Sequence, residues 1–300
     1  MPMREKPGIV LAPYGTLFPP ALATYDQIKR AYEREFPGSP VRLAFTSRLM
    51  RKRLLEKEGI IIPGLLAALA EMHDLGYESV TVQSLQIVPG EEFHQVEALV
   101  QGLKGSRRQA FSRLEMGLPL LSDLKDCFMV SSLLPYLCMG AASNSNAADD
   151  TADDTANDTA DEKPPHVSPL RDPEKEAVLL VGHGTGHPAD ALYSLMAQIL
   201  KREHKNVFLG TIEGFFGLEE LLPELSRCGA RAVRLLPFLL VAGGHAKNDI
   251  FGHDPESWKS NLEREGYEVV ADLRGLGERV EIVSLFLEHT RNALEKMENR

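Results

Sequence analysis

Short apolar runs closed by glycine turns recur along this chain and alternate with stretches of helical spacing. Residues 9–12, Ile-Val-Leu-Ala, run into Pro13-Tyr-Gly-Thr16. Such a run predicts a buried strand ending in a tight turn. Tyr25, Ile28, Tyr32 and Phe36 then recur three or four apart with charges between them, which predicts an amphipathic helix. Residues 41–47 predict a second strand, followed by the basic residues Arg48, Arg51, Lys52 and Arg53. Pro63 opens and Gly76 closes a helix through Leu65, Leu66, Leu69 and Met72. Residues 80–88 predict a third strand that ends in Pro89-Gly-Glu-Glu92. Phe93, Val96, Val100 and Leu103 then mark a helix. Residues 119–121 read as a short strand or loop, and 123–139 as a helix.

The second half follows the same order. Val178-Leu-Leu-Val181 runs into Gly182-His-Gly-Thr185, and Leu192, Leu195, Ile199 and Leu200 predict the next helix. Residues 207–212 predict a strand ending in Glu213-Gly-Phe-Phe-Gly217. A helix through Leu218, Leu221, Leu222 and Leu225 stops at Gly229. Residues 232–241 predict a strand that enters Ala242-Gly-Gly-His-Ala-Lys-Asn-Asp249. Asp254 and Pro255 look like the cap and first turn of a helix. A strand is expected at 269–271 and a final helix at 279–297. Tyr14-Gly-Thr falls on His183-Gly-Thr, Ser47 falls beside Glu213, and Glu92 falls beside His245. The pattern predicts an α/β protein of two similar domains. Each is a small parallel sheet flanked by helices, and a cleft lies between them.

Between the halves the pattern collapses. Residues 149–160 repeat Asp-Asp-Thr-Ala, Asp-Asp-Thr-Ala, Asn-Asp-Thr-Ala, with no apolar side chain larger than alanine. That composition buries too little surface to offset the entropy of ordering. The expected organisation is therefore an N-terminal half at 1–140, a disordered acidic linker or insertion at 141–170, and a C-terminal half at 171–300. The chain's net charge is −10, and seven acidic residues without one Lys or Arg lie between 143 and 162. The rest is close to neutral, which argues against a nucleic-acid partner. No apolar run approaches the ~20 residues that span a bilayer. The first eight residues lack the pattern of a signal peptide, so a cytoplasmic protein is expected. Three cysteines, Cys127, Cys138 and Cys228, form no C-x-x-C pair, so neither a disulfide framework nor a thiolate zinc site is expected.

Chemistry concentrates at the strand ends of the second half. Ligands gather at the carboxyl edges of parallel sheets. A single histidine after a strand also reads as a cap or a packing residue. His183, Glu213 and His245, however, each end a successive strand, one βα unit apart. Neighbouring parallel strands would bring two imidazoles and a carboxylate to one edge, a suitable donor set for a divalent transition metal with open positions. Glu92, at the matching edge of the first half, could face that ion or stay solvated. His187 precedes a proline and suits a turn; His94 suits the surface.

These residues resemble the anaerobic cobalt chelatases that act on sirohydrochlorin, relatives of the class II chelatases and ferrochelatases. The resemblance rests on Tyr14-Gly-Thr16, Ala44-Phe-Thr-Ser47, Val82-Gln-Ser-Leu-Gln-Ile-Val-Pro-Gly-Glu-Glu92, Gly182-His-Gly-Thr185, Glu213, Leu240-Val-Ala-Gly-Gly-His-Ala-Lys-Asn-Asp249, Ser257-Trp-Lys259 and Gly275-Leu-Gly277. It implies that His183, Glu213 and His245 bind the metal and that the carboxylate of Glu92 lines the same cleft. Tyr14 and Ser84 are further candidate contacts for the ring. Arg48, Arg51, Arg53 and Lys247 are candidates to orient its carboxylates. The expected reaction is insertion of Co²⁺ into sirohydrochlorin with loss of two protons, His183 and Glu92 taking the catalytic parts. Fe²⁺, Ni²⁺ or Zn²⁺ suit the same donors, and no organic cofactor is expected. Insertion of iron or nickel, or a non-catalytic tetrapyrrole or metal carrier, are the alternatives, and a homo-oligomer stays open. Deleting residues 143–165 is expected to leave the melting temperature and the insertion rate unchanged. A fall in either, measured on the purified deletion variant, would contradict the linker assignment.

Overall fold

The computed structural model describes residues 6–104, 111–138 and 175–299. The acidic stretch 141–170 lies outside them. The first half contains β1 (Gly8–Ala12), α1 (Pro19–Glu35), β2 (Val41–Leu43), α2 (Arg48–Glu58), α3 (Leu65–Asp74), β3 (Ser79–Ser84), α4 (Glu91–Lys104), β4 (Arg113–Gly117), α5 (Leu124–Ser132) and α6 (Leu134–Cys138). The second contains β5 (Glu176–Gly182), α7 (Ala191–Glu203), β6 (Val207–Thr211), α8 (Leu218–Cys228), β7 (Ala232–Pro237), α9 (Trp258–Arg264), β8 (Glu268–Ala271) and α10 (Val280–Glu298).

Each half builds a four-stranded parallel sheet. The orders are β2-β1-β3-β4 and β6-β5-β7-β8, the same topology twice. The expected α/β architecture of two similar sheets is therefore present. Gly15 (φ +112°) and Gly184 (φ +77°) both take the left-handed conformation in the turn after the central strand. A Cβ on Gly15 would meet the Phe45 ring at 2.6 Å, and one on Gly184 would meet the Gly214 nitrogen at 2.3 Å. Both turns thus need glycine for conformation and for close approach.

Three sequence expectations change. Residues 119–121 are loop, and the strand β4 just before them was not expected. Its Arg113 and Glu115 mask the apolar pattern, and Glu115 is held by Lys104 at 2.9 Å. The helix expected at 123–139 breaks at Leu133 into α5 and α6. α9 is capped by Ser257, whose hydroxyl accepts the Ser260 N–H at 3.1 Å, rather than by Asp254. Asp254 instead accepts the Glu256 N–H in the preceding turn.

One apolar core runs between the sheets. It joins Ile9 and Leu11 of β1, Tyr25 and Tyr32 of α1, Val178 and Leu180 of β5, Met196 of α7, and Phe286 of α10. The outer faces are covered separately, by α3 and α4 on one sheet and by α8 and α9 on the other. The inner layer is exchanged between halves. α10 packs on β3 and β4 of the first half, while α5 packs on α7 of the second. α10 buries Ile282, Val283, Leu285, Phe286, Leu287 and Met297, each large side chain contributing about 2 kcal/mol gross.

A polar network fixes α10 in register. Thr290 Oγ1 donates to Gln83 Oε1 at 2.7 Å, and Tyr32 Oη lies 3.1 Å from the same hydroxyl. Gln83 Nε2 donates to the carbonyls of Ser84 and Leu118. Gly117 makes room for that amide, since a Cβ there would lie 1.9 Å from Gln83 Oε1. Next to Thr290, His289 places Nδ1 3.1 Å from the Leu118 carbonyl and Nε2 3.1 Å from Asp126 Oδ1. Both ring nitrogens face acceptors, so the imidazolium is the form that satisfies both.

Burial alone would lower the His289 pKa, but the Asp126 hydrogen bond and charge override it and hold the pKa above its usual value. Burial would raise Asp126, but His289 and the Ser122 and Asp123 N–H groups hold it below the usual carboxylate range. The histidine's stabilisation is therefore complete below about pH 6.5 and is lost as pH rises through the raised folded-state value. His289→Leu is expected to cost about 3 kcal/mol at pH 6, and the gap to the parent protein should narrow by pH 9. Urea unfolding across that range checks it; a gap independent of pH would contradict the charged pair.

Candidate metal centre

Parallel strands β6, β5 and β7 end together, with Gly182 level with Thr211 and Val181 level with Pro237. His183 follows β5 directly, and Glu213 lies two residues beyond β6. Their loops are tied by backbone bonds, Glu213 N–H to His183 C=O at 2.8 Å and Ile212 N–H to Gly182 C=O at 3.0 Å. His245 sits farther past β7, at the start of the π-helical turn Ala246–Ile250. The ligand atoms of His183, Glu213 and His245 lie within 4.8 Å of one another, and all three side chains are accessible.

Hydrogen bonds assign the tautomers. His183 Nδ1 faces the Gly184 carbonyl at 2.9 Å, and His245 Nδ1 faces the Asp249 carboxylate at 2.7 Å. Both Nδ1 atoms therefore donate, and in the neutral imidazoles that leaves the Nε2 lone pairs available to a ligand. Those two atoms point at each other, 3.3 Å apart. Two lone pairs at that distance repel unless a proton or a cation lies between them. Two nitrogens each about 2.0–2.1 Å from a tetrahedral ion stand about 3.3–3.4 Å apart. Glu213 Oε2, 3.9 Å from His183 Nδ1, supplies the negative charge. The arrangement can hold a divalent transition metal and leave positions open toward solvent.

The model for the family Cobalt chelatase (CbiK) matches residues 7–129 and 142–295. The chain belongs to the cobalt chelatase (CbiK) family. It is 34% identical over 300 residues to the sirohydrochlorin cobaltochelatase CbiKC of Nitratidesulfovibrio vulgaris, covering 100% of this chain and 94% of that one. It is 31% identical over 251 residues to the sirohydrochlorin cobaltochelatase of Salmonella typhimurium, covering 84% and 82%. Its fold is similar to that of SirB from Bacillus subtilis with Fe³⁺, with a TM-score of 0.63, 14% identity and 98% of each chain covered.

Beside the three clustered side chains, this member of the cobalt chelatase family places the other sequence candidates unevenly. Glu92 is exposed in the first turn of α4 and lies outside the cluster. Its helix borders the His183 loop, because the rings of His94 and His187 stand 5.3 Å apart across the two halves. His187 caps the turn Pro188–Asp190, as its position before proline suggested. Tyr14 is 43% exposed after β1, and its carbonyl accepts the Ser47 N–H. Arg48 is exposed at the start of α2. Lys247 reaches across to the first half, with Nζ 5.4 Å from the centre of the Phe18 ring. Ser84 does not reach the surface. It is fully buried, and its hydroxyl bonds the side chain of Gln86, so it supports the strand-end loop instead of facing a ring. Burial first, then nearby Asp126 and Asp123, pushes the Cys127 thiol up to about 11. Burial likewise pushes Cys138 up to about 11, so neither is a thiolate at neutral pH.

Asp249 was not a sequence candidate. The signal was its i+4 spacing from His245 within one helical turn. Outer partners of this kind fix a ligand's tautomer and orientation. His183→Ala and His245→Ala are each expected to abolish Co²⁺ binding with little change in melting temperature. Asp249→Ala should weaken binding about 10–100-fold. Metal titration of the folded variants tests this; parent-like affinity in both histidine variants would remove the ligand assignment.

Proposed function

We propose that this chain inserts Co²⁺ into sirohydrochlorin as a sirohydrochlorin cobaltochelatase, the metal centre holding the ion until the ring takes it. The reading rests on one observation above all, the two imidazole Nε2 atoms that converge 3.3 Å apart beside a carboxylate. The names of the relatives support the ring and the metal. The ring enters with two inner N–H groups and leaves with neither, so one M²⁺ goes in and two protons come out. His183, Glu213 and His245 hold the ion from one side. Three metal–protein bonds and the open position of the site give way to bonds with the four ring nitrogens, which a half-exposed donor set permits.

Glu92 accepts a pyrrole proton in this scheme, being an exposed carboxylate on the turn that borders the ligand loop. Arg48 and Lys247 pair with the ring's carboxylates, and Tyr14 lies along its edge. This scheme calls for no organic cofactor. Fe²⁺ and Ni²⁺ fit the same donors, and affinity alone does not rank Co²⁺ above Ni²⁺.

Purified protein, sirohydrochlorin and Co²⁺, followed by absorbance, test the proposal. Insertion is expected to exceed the uncatalysed rate, with a higher kcat/KM for Co²⁺ than for Fe²⁺ or Ni²⁺. Glu92→Gln should lower kcat about 100-fold. Binding of metal and ring without acceleration would mark a carrier and overturn the enzyme reading.

A further inference from the structure

The two ligand loops after β5 and β6 share a feature that neither ligand supplies. Asp190 lies between them, in the turn Pro188–Asp190 that leads into α7. Its Oδ1 accepts the Thr185 N–H at 3.0 Å, and its Oδ2 accepts the Phe215 N–H at 2.9 Å. These two donors stand in equivalent places. Thr185 is two residues beyond His183, and Phe215 is two residues beyond Glu213. One carboxylate therefore closes both loops with its two oxygens.

The packing leaves the clamp little slack. A Cβ on Gly214 would lie 2.4 Å from Asp190 Oδ1 and 2.4 Å from Thr211 Oγ1. The backbone of Gly214 is also the surface that Gly184 meets. Asp190 is itself anchored, its N–H bonded to the His187 carbonyl at 2.9 Å. It precedes a 13-residue helix that buries Tyr193 against Gly182.

We infer that Asp190 is a positioning residue of the metal centre, a double acceptor that sets the distance between the His183 and Glu213 ligand atoms. The inference rests on the proposed metal centre and deepens it. Its chemistry demands a carboxylate. Asparagine has the same shape but offers one acceptor oxygen, and its NH₂ group would face an N–H donor. Asp249 holds the third ligand by bonding the imidazole directly. Asp190 instead bonds the two backbones, through the Thr185 and Phe215 N–H groups.

The test compares Asp190→Asn, Asp190→Glu and His183→Ala with the parent protein. Co²⁺ affinity is read by titration, the ligand field of bound Co²⁺ by its visible spectrum, and KM separately for Co²⁺ and for sirohydrochlorin. Asp190→Asn is expected to raise Kd and KM for Co²⁺ about 10-fold and to alter the Co²⁺ spectrum. Its KM for the ring and its melting temperature should stay near the parent's. Asp190→Glu keeps both acceptor oxygens and should recover part of the affinity. It also serves as the test variant if Asp190→Asn does not fold. Parent-like Co²⁺ affinity and spectrum in Asp190→Asn, or equal losses for metal and ring, would overturn the inference. Undiminished Co²⁺ binding by His183→Ala would instead overturn the metal centre on which it rests.

Discussion

Strand direction is the constraint on which the site depends. β5, β6 and β7 run parallel, so their carboxyl ends share one edge and every loop that leaves them starts from the same side. An antiparallel neighbour would send one of the three groups to the opposite edge. Parallel pairing in turn requires a helical crossover for each strand, and those crossovers supply the layers that bury the sheets. The first half obeys the same constraint with different residues at the edge. Tyr14 stands where His183 stands, and Ser47 stands where Glu213 stands. One architecture is thus used twice, and among the described residues the clustered candidate donors stand in the second copy.

The donor set differs from that of a permanent structural ion. Structural zinc sites are closed by four protein ligands. Here three groups converge, and their side chains are about half exposed. A proposed substrate ion must both arrive and leave, and an open, three-donor site suits that task. Rigidity is placed in the surrounding shell. Carbonyl and carboxylate acceptors on the two Nδ1 atoms orient the rings, while the core between the sheets runs without a break from β1 to β5.

Much of this was legible in the sequence because it depends on local signals. Glycine after an apolar run marks the turns at Gly15 and Gly184, and spacing of one βα unit places His183, Glu213 and His245 together. What was illegible depends on partners distant in the chain. β4 hides behind Arg113, which donates to the Ser79 hydroxyl, and Glu115, whose charge is paired with Lys104. Ser84 looks available at a strand end, but it faces inward onto Gln86. Asp126 and His289 are 163 residues apart, and no periodicity joins them.

The exchange of α10 also bears on how the molecule is made. During synthesis the strands of the first sheet emerge long before residues 280–298, the helix that covers β3 and β4. Until then Gln83 lacks Thr290, and Asp126 lacks its imidazolium. The first half therefore cannot reach its final packing as an independent folding unit. Its last layer arrives with the end of the chain, so contacts of high sequence separation come late and slow the final step. An early stop codon would expose an apolar sheet face in the first half, even though every one of its strands had been translated.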